Sequence, residues 1–141
     1  MGTAANRMQI DAVAVIAVGG ALGAPARYGV TRLIHVAPDS FPWATFVTNL
    51  TGAFVLGLLL TSLFDRGPRP RMHRLRLFLG VGFLGAYTTF STMAVETVTL
   101  AKDGFVALGV GYLLVSFAAG LGVAYLGIVV ARLFPRRLEG V

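Results

Sequence analysis

The segment GAYTTFSTM, from Gly85 to Met93, places three threonines and one serine around Phe90 inside an otherwise apolar stretch. Hydroxyl groups can donate hydrogen bonds, and an aromatic ring presents a positive edge. Groups of this kind could replace the hydration shell of a small anion, a task that favours donors over carboxylates. The segment therefore indicates ion binding rather than covalent chemistry.

The other polar residues of the apolar stretches share this character, since most are amide or hydroxyl donors. They are Arg27, Thr45, Thr48, Asn49, Thr51, Glu96, Tyr112 and Ser116. No paired carboxylate, Ser/His/Asp set or phosphate-binding loop occurs in the sequence, so we expect that the protein is not an enzyme. The absence of cysteine excludes disulfides and thiolate metal sites, and His35 and His73 are expected in solvated loops.

The composition shows which solvent the chain folds in. Of its 141 residues, 56% are hydrophobic and only 13% charged, with a mean hydropathy of +0.78, whereas a soluble domain carries about a quarter of its residues as charges. Four stretches reach the roughly 20 apolar residues that a spanning helix needs. They cover residues 10–34, 41–64, 77–100 and 104–134. The sequence predicts an all-α membrane protein with a single four-helix transmembrane domain over residues 1–141.

The predicted connections between the four helices are short. Residues His35 to Pro42 turn through two prolines and place Trp43 at the level of an interfacial aromatic belt. Residues Asp65 to Arg76 are expected to form a basic loop. The third connection is little more than Ala101 to Gly104, so the third and fourth helices should be antiparallel neighbours. The opening MGTAANRMQID has no cleavage site, so we expect the first helix to be retained.

Many of the 18 glycines lie inside the predicted helices, where they would let helix backbones approach closely. They include Gly19, Gly20, Gly23, Gly52, Gly57, Gly120, Gly122 and Gly127. Gly80, Gly82 and Gly85 differ because they lead into the hydroxyl cluster, and the sequence predicts a break near the middle of the third helix. The break is either a tolerated kink, with hydroxyls bonded to carbonyls one turn earlier, or unwound backbone kept to line a cavity or hold an ion.

Basic residues are unevenly divided between the two ends of the predicted bundle. Nine lie at one end: Arg7, Arg66, Arg69, Arg71, Arg74, Arg76, Arg132, Arg136 and Arg137. Three lie at the other: Arg27, Arg32 and Lys102. This positive-inside pattern predicts an inner-membrane protein with both termini and the Arg-rich loop in the cytoplasm, and it argues against nucleic acid as the partner of the net charge of +6. The Arg-rich loop also suits anionic lipid headgroups.

Three segments together resemble the signature segments of the Fluc, or CrcB, fluoride channels. They are GGALGAPARY (Gly19 to Tyr28), ATFVTNLTGAFVLG (Ala44 to Gly57) and GFLGAYTTFSTM (Gly82 to Met93). The resemblance spans nearly the whole chain in order. It implies a dimer of two four-helix subunits inserted in opposite orientations, with two fluoride pores and a buried sodium ion at the interface.

The resemblance also assigns roles to individual residues. The positions that match the family's pore and polar track are Asn49, Phe90, Thr92, Met93, Tyr112 and Ser116. The main-chain carbonyls of Gly85 and Thr88 match the sodium ligands, and Arg27 and Glu96 match further polar positions of the family. An interhelical hydrogen bond is the alternative role for Asn49.

The chain departs from the family pattern at two positions. Ala44 replaces a glycine at a helix start, and Met93 replaces the second pore phenylalanine with a thioether that has no ring edge. An inverted homodimer would also need a nearly balanced distribution of charge. We hypothesise from Met93 and the charge bias that the chain forms one half of a heterodimer with a related subunit.

The function that the resemblance implies is passive export of cytoplasmic fluoride, which lowers fluoride toxicity. Two alternatives belong to other classes. A proton-coupled transporter of the small multidrug type would carry a glutamate in the middle of the first helix, which has none. A structural membrane subunit without transport activity would lose stability, but no ion flux, on Asn49→Ala substitution.

Overall fold

The structure, a computed structural model, describes residues 2–37, 39–64 and 70–133. Four helical stretches within these ranges are long and apolar enough to cross a membrane, and no strand occurs in the described part of the chain. They are Met8–Leu33, Trp43–Leu63, Arg71–Lys102 and Val106–Leu133. This confirms the prediction of an all-α protein with four spanning helices.

The first, second and fourth spans are continuous helices, named α1 (Gly2–Leu33), α2 (Trp43–Phe64) and α6 (Val106–Leu133). α1 begins eight residues before the predicted start at residue 10, and residue 134, the predicted end of the fourth helix, lies outside the described residues. So do Pro38 of the first connection and four of the basic positions, namely Arg66, Arg69, Arg136 and Arg137. The side chain of Arg7 is likewise outside the described part.

The third span is composite. It consists of α3 (Pro70–Arg76), a π-helical segment (Leu77–Leu84), the single turn α4 (Gly85–Tyr87) and α5 (Phe90–Lys102). The predictions that this span begins at residue 77 and that the basic loop reaches Arg76 are therefore wrong, and His73 lies in α3 rather than in a loop. Arginine, methionine and leucine are good helix formers, and Pro70 at the first helical position has its φ angle already set for a helix.

The helix breaks at Thr88 and Thr89, as predicted. Thr88 has a ψ angle of 158°, and Thr89 has φ and ψ angles of −150° and 114°, so both lie outside the helical region. No proline is present at this position to force the change. The break must therefore be stabilised by what replaces the lost helical hydrogen bonds.

Two pairs of elements pack most extensively, and glycines bring both pairs into main-chain contact. α2 packs on α6, with Gly57 against the carbonyl of Ala124 and Gly127 against the carbonyl of Phe54. A Cβ atom on Gly127 would also lie 2.9 Å from the nitrogen of Leu58. The close approach predicted for these glycines is confirmed, whereas Gly120 and Gly122 face open space within the chain, contrary to the prediction.

α1 packs on the π-helical segment in the same way. A Cβ atom on Gly19 would lie 2.9 Å from the nitrogen of Phe83 and 3.1 Å from the Cα of Gly82. Gly23 faces the carbonyl of Phe83. The first half of the broken span is thus held by α1, immediately before the break.

A tight turn reverses the chain between α5 and α6. Gly104 has a φ angle of +91°, and its N–H donates to the Ala101 carbonyl at 3.3 Å, while the Phe105 N–H donates to the Leu100 carbonyl at 2.8 Å. This is the Schellman arrangement, in which a residue with positive φ ends a helix. The turn makes α5 and α6 antiparallel neighbours, as the short connection predicts.

Candidate functional site

Asn49 on α2 holds both backbone groups of Thr89 at the break. The Nδ2 atom of Asn49 donates to the Thr89 carbonyl at 3.0 Å, and the Thr89 N–H donates to Oδ1 of Asn49 at 2.8 Å. Unpaired backbone groups are costly where water is absent, and the single amide satisfies two of them. One of the two Nδ2 hydrogens remains available for another acceptor.

The side chain of Thr89 caps the second half of the span. Its Oγ1 atom accepts the Thr92 N–H at 3.1 Å and donates to the Thr92 hydroxyl at 2.9 Å. A threonine at this position satisfies one of the free N–H groups in the first turn of a helix. Because Thr92 Oγ1 accepts this bond, its own hydroxyl hydrogen is left for another acceptor.

Two main-chain carbonyls at the break lose their helical partners. The N–H groups of Thr89 and Thr92 donate to the side chains of Asn49 and Thr89. Within the described part of the chain, the carbonyls of Gly85 and Thr88 therefore accept no hydrogen bond from the residues four positions later. Carbonyl oxygens of this kind can replace the hydration shell of a cation. The predicted back-bonding also occurs, since the Thr88 hydroxyl donates to the Leu84 carbonyl at 2.9 Å.

Two cavities adjoin the break and share Thr89 as a wall. The first cavity has a volume of about 430 Å³ and extends from the break toward the connection between α1 and α2. The second cavity has a volume of about 340 Å³ and lies toward the first half of the span and α6. Thr89 is therefore the residue at which the two spaces adjoin.

The second cavity gathers most of the residues predicted to line a pore or hold sodium. They are Asn49, Gly85, Thr88, Phe90, Met93 and Ser116. The Oγ atom of Ser116 is buried and has no hydrogen-bond partner within the described residues, so its hydroxyl is a donor without an acceptor. The ring of Phe90 is 65% exposed and lies 6.2 Å from that of Phe117, measured between centroids. Met93 is only 4% exposed and fills the inner wall.

The first cavity contains the charged residues predicted from the sequence. Arg27 and Glu96 both line it, together with Thr92. The two carboxylate oxygens of Glu96 accept hydrogen bonds at 2.8 Å from the hydroxyls of Thr45 and Tyr112. These bonds compensate a carboxylate in an apolar region, where an unpaired charge would be expensive.

Tyr112 is the predicted site residue that the structure places apart from both cavities. Its side chain is fully buried, its hydroxyl is donated to Glu96, and its ring packs on Phe41 with the centroids 5.2 Å apart. Tyr112 therefore orients Glu96 within this chain.

Thr45 and Thr89 belong to the polar residues noted in the sequence, but their contacts in the site are not among the predictions. The sequence does contain a sign of the contact between Glu96 and Tyr112. The two residues stand equally far from Gly104, and a turn between antiparallel helices brings such positions together. Thr89 also had one, since threonine is a preferred residue just before a helix starts. Nothing local marks Thr45, which reaches Glu96 across 51 positions.

Comparison with known proteins gives one family and several close relatives. The profile of the family described as "CrcB-like protein, Camphor Resistance (CrcB)" matches residues 14–128. The chain is 44% identical, over 81% of its length and 85% of the relative's, to "Fluoride-specific ion channel FluC 1" of Mycolicibacterium paratuberculosis. It is 41% identical to "Fluoride-specific ion channel FluC 1" of Ligilactobacillus salivarius, over 79% of this chain and 92% of the relative.

A third relative, "Fluoride-specific ion channel FluC" of Beijerinckia indica subsp. indica, is 41% identical over 81% of this chain and 91% of its own length. The matched region begins within α1 and ends within α6. The similarity therefore covers both cavities and the break between them.

Proposed function

The chain belongs to the CrcB family and is a multi-pass membrane protein. On that premise we propose that it is a fluoride-specific ion channel. The observation that carries the proposal is the pair of cavities that meet at Thr89, with hydrogen-bond donors on both sides. A channel makes no covalent bond with its ion, so the function requires binding groups rather than an enzyme's active site. The proposed ion, fluoride, is the one named in the protein names of the relatives.

The donors suit the energetics of a small anion. Removing water from even a carboxylate-sized ion costs on the order of 20 kcal/mol in a Born estimate, so a conduit needs a donor at nearly every step. Three hydrogens are available near Thr89: the second amide hydrogen of Asn49, the Thr92 hydroxyl and the partnerless hydroxyl of Ser116. The exposed Phe90 can add the positive edge of its ring.

The transport is passive, and its use is export. Fluoride that enters a cell as the neutral acid dissociates in the cytoplasm, and the anion then leaves down its electrochemical gradient through the channel.

The described residues contain no group of three or more His, Cys, Asp or Glu side chains that could hold a metal, so a cation would have to be held by other oxygens.

A sodium ion fits the carbonyls of Gly85 and Thr88, because both lack their helical partner and carbonyl oxygens are good ligands for hard cations. Gly85 lies on the exposed surface of the single chain, and no atom lies within 4 Å of the position that a Cβ atom would take there. A site at such a surface is completed by a second subunit. The bound ion would supply a positive charge that attracts anions.

The second subunit is inserted in the opposite orientation. In the single chain α6 leaves a row of large apolar side chains uncovered, and this face is available to the second subunit or to lipid. Each of them is at least half exposed: Val110, Leu114, Phe117, Leu121 and Tyr125. The charge bias of nine basic residues against three favours one orientation for this chain, with its termini in the cytoplasm, and so favours a related partner of opposite bias.

Orientation can be tested with single cysteines, since the chain has none of its own. Ala37→Cys and His73→Cys place exposed thiols at opposite ends of the bundle without changing an arginine or lysine. In cells expressing the chain alone, an impermeant maleimide should label Ala37→Cys from outside and leave His73→Cys unlabelled. Comparable labelling of both positions would contradict the heterodimer.

The function is tested by fluoride efflux from liposomes that contain the purified chain, read with a fluoride electrode. Ser116→Ala removes a donor that holds no other group, so flux should fall while the unfolding transition stays unchanged. Ser62→Ala, at an exposed position of α2 outside both cavities, is the matched control. If the chain alone is silent, the same measurement with a related subunit co-expressed tests the heterodimer.

The structural-subunit alternative makes a different prediction for the same set of variants. It explains Asn49 by its two bonds to Thr89, but it gives Ser116 no role. Absence of fluoride flux both alone and with a related subunit would favour that alternative and contradict the channel.

A further inference from the structure

His35 lies at the entrance of the first cavity, in the connection between α1 and α2, and is exposed to solvent. We propose that His35 sets the concentration of anions at this entrance through its own charge, and so controls fluoride conductance as the pH changes. The inference rests on the proposed channel function. It concerns a residue that lines only the first cavity, away from the wall shared at Thr89.

The charges facing His35 in this cavity nearly cancel. α1 contributes the cation Arg27 and α5 contributes the anion Glu96, and these are the other charged side chains that line the cavity within the described residues. Two further charged residues stand within four positions of His35 in the sequence without lining the cavity. They are Arg32, whose guanidinium lies 5.9 Å from the ring centroid of Tyr28, and the exposed Asp39. The entrance is thus close to neutral with a neutral His35 and carries about one net positive charge with a protonated one.

Histidine is the side chain whose charge ordinarily changes between pH 5 and 8. A protonated imidazole at this entrance adds a positive charge that attracts anions, and a neutral one does not. For one charge acting over roughly 8–10 Å of water at low ionic strength, the local anion concentration changes by up to about twofold. Fluoride conductance should therefore rise by up to about twofold on acidification.

The experiment measures fluoride currents in planar bilayers at about pH 5.5 and about pH 8, with the same pH on both sides and the current of protein-free bilayers subtracted. The ratio of the two currents is compared between the wild type, His35→Gln and His35→Lys. The wild type should give a ratio of about two. Gln should give a ratio near one with the lower current, and Lys a ratio near one with the higher current.

Two further measurements separate a charge effect from a structural one. Raising the ionic strength with an impermeant salt, from about 0.03 M to about 0.5 M, should shrink the difference between Gln and Lys, because the Debye length falls below the size of the cavity. His73→Gln, at the opposite end of the bundle, should retain the ratio of the wild type.

Equal ratios for the wild type and His35→Gln, in bilayers that carry fluoride current, would overturn the inference and leave the channel function standing. So would Gln and Lys currents that differ equally at low and high salt. Absence of fluoride current from the wild type, alone and with a related subunit, would instead remove the channel function and this inference with it.

Discussion

The contact between α2 and α6 and the break in the third span meet opposite demands of folding in lipid. α2 and α6 are unbroken, so their backbone groups are bonded within each helix, and Gly57 and Gly127 let main chain touch main chain. At the break the helical bonds are lost, and the side chains of Asn49 and Thr89 take their place. The first region is held by packing and the second by directed hydrogen bonds.

This difference indicates how stability and transport are divided in the molecule. The packed pair presents Asn49 from α2 and Ser116 from α6 to the same cavity, so its geometry fixes where the donors lie. The break supplies main-chain groups and free hydroxyl hydrogens there. Changes to the packed pair should therefore abolish folding and flux together, whereas changes at the cavity can separate them.

The largest effect is expected from Gly127→Ala. The added methyl group would meet the Phe54 carbonyl and the Leu58 nitrogen, which belong to backbone and cannot rotate away. Overpacking of this kind costs up to about 3 kcal/mol, enough to reduce the yield of monodisperse protein in detergent. Gly122→Ala on the same helix enters open space and should behave as the wild type in size-exclusion chromatography and thermal unfolding. Similar losses for both variants would contradict a packed glycine contact.

Asn49→Ala tests the hydrogen-bonded region. It leaves the N–H and carbonyl of Thr89 unpaired, so the free energy of unfolding should fall by about 2 kcal/mol, and fluoride flux should be lost. Thr61→Val is the control on α2, because its hydroxyl bonds only to the Gly57 carbonyl of its own helix. An Asn49→Ala protein that unfolds like the wild type would show that the break needs no support from α2.

Tyr112→Phe removes one bond from a pair of bonds to the same carboxylate. The Tyr112 hydroxyl is fully buried against Glu96, so its loss should cost about 1 kcal/mol, in the range of measured interhelical bonds in membranes. Tyr125→Phe, at a position 67% exposed on the same helix, should cost nothing measurable. A double-mutant cycle with Thr45→Val measures whether the two hydroxyls act together on Glu96, and an additive result would argue against a shared carboxylate.

The smallest effect is expected at the Arg-rich end of the bundle, where neither close packing at glycines nor buried hydrogen bonds at the break stabilise the structure. Arg74 and Asp11 form an ion pair of 3.2 Å, with side chains 67% and 63% exposed. Such pairs contribute about 0.5 kcal/mol, and salt screens them. Arg74→Gln should thus change thermal unfolding slightly at low salt and not at high salt. A salt-independent loss would indicate a role other than this ion pair.

The sequence predicts the spans and the break because each depends on the composition of a single continuous segment of the chain. Runs of apolar residues give the length, and the hydroxyl cluster marks the place where the helix stops. The residues of α3 are predicted as part of a basic loop, although arginine favours helix and can lie at the level of the headgroups. The π-helical turns of Leu77–Leu84 have no residue signature in LFLGVGFL, and this segment is the part of the third span that packs most extensively on α1.

The site is predicted as a set of residues but not as a set of contacts. Asn49 and Thr89 are 40 positions apart, and only the packing of α2 beside the third span brings them together. The resemblance to the fluoride channels places Tyr112 on the polar track, and within the chain its hydroxyl is bonded to Glu96. Residue types predict which groups can bind an ion, and tertiary packing determines which of them are already occupied.

The length of α2 has a consequence for the bilayer that surrounds the protein. With 22 residues it is about 33 Å long, whereas the 28 residues of α6 extend about 42 Å. A hydrocarbon core is about 30 Å thick, so the length of α2 exceeds this thickness only slightly. The Arg76 side chain donates a hydrogen bond to the Leu63 carbonyl at the end of α2, where the helix reaches one surface of the core. Among the three continuous spanning helices α2 is the shortest and it carries Asn49, so a thicker membrane would act first on the helix that supports the break.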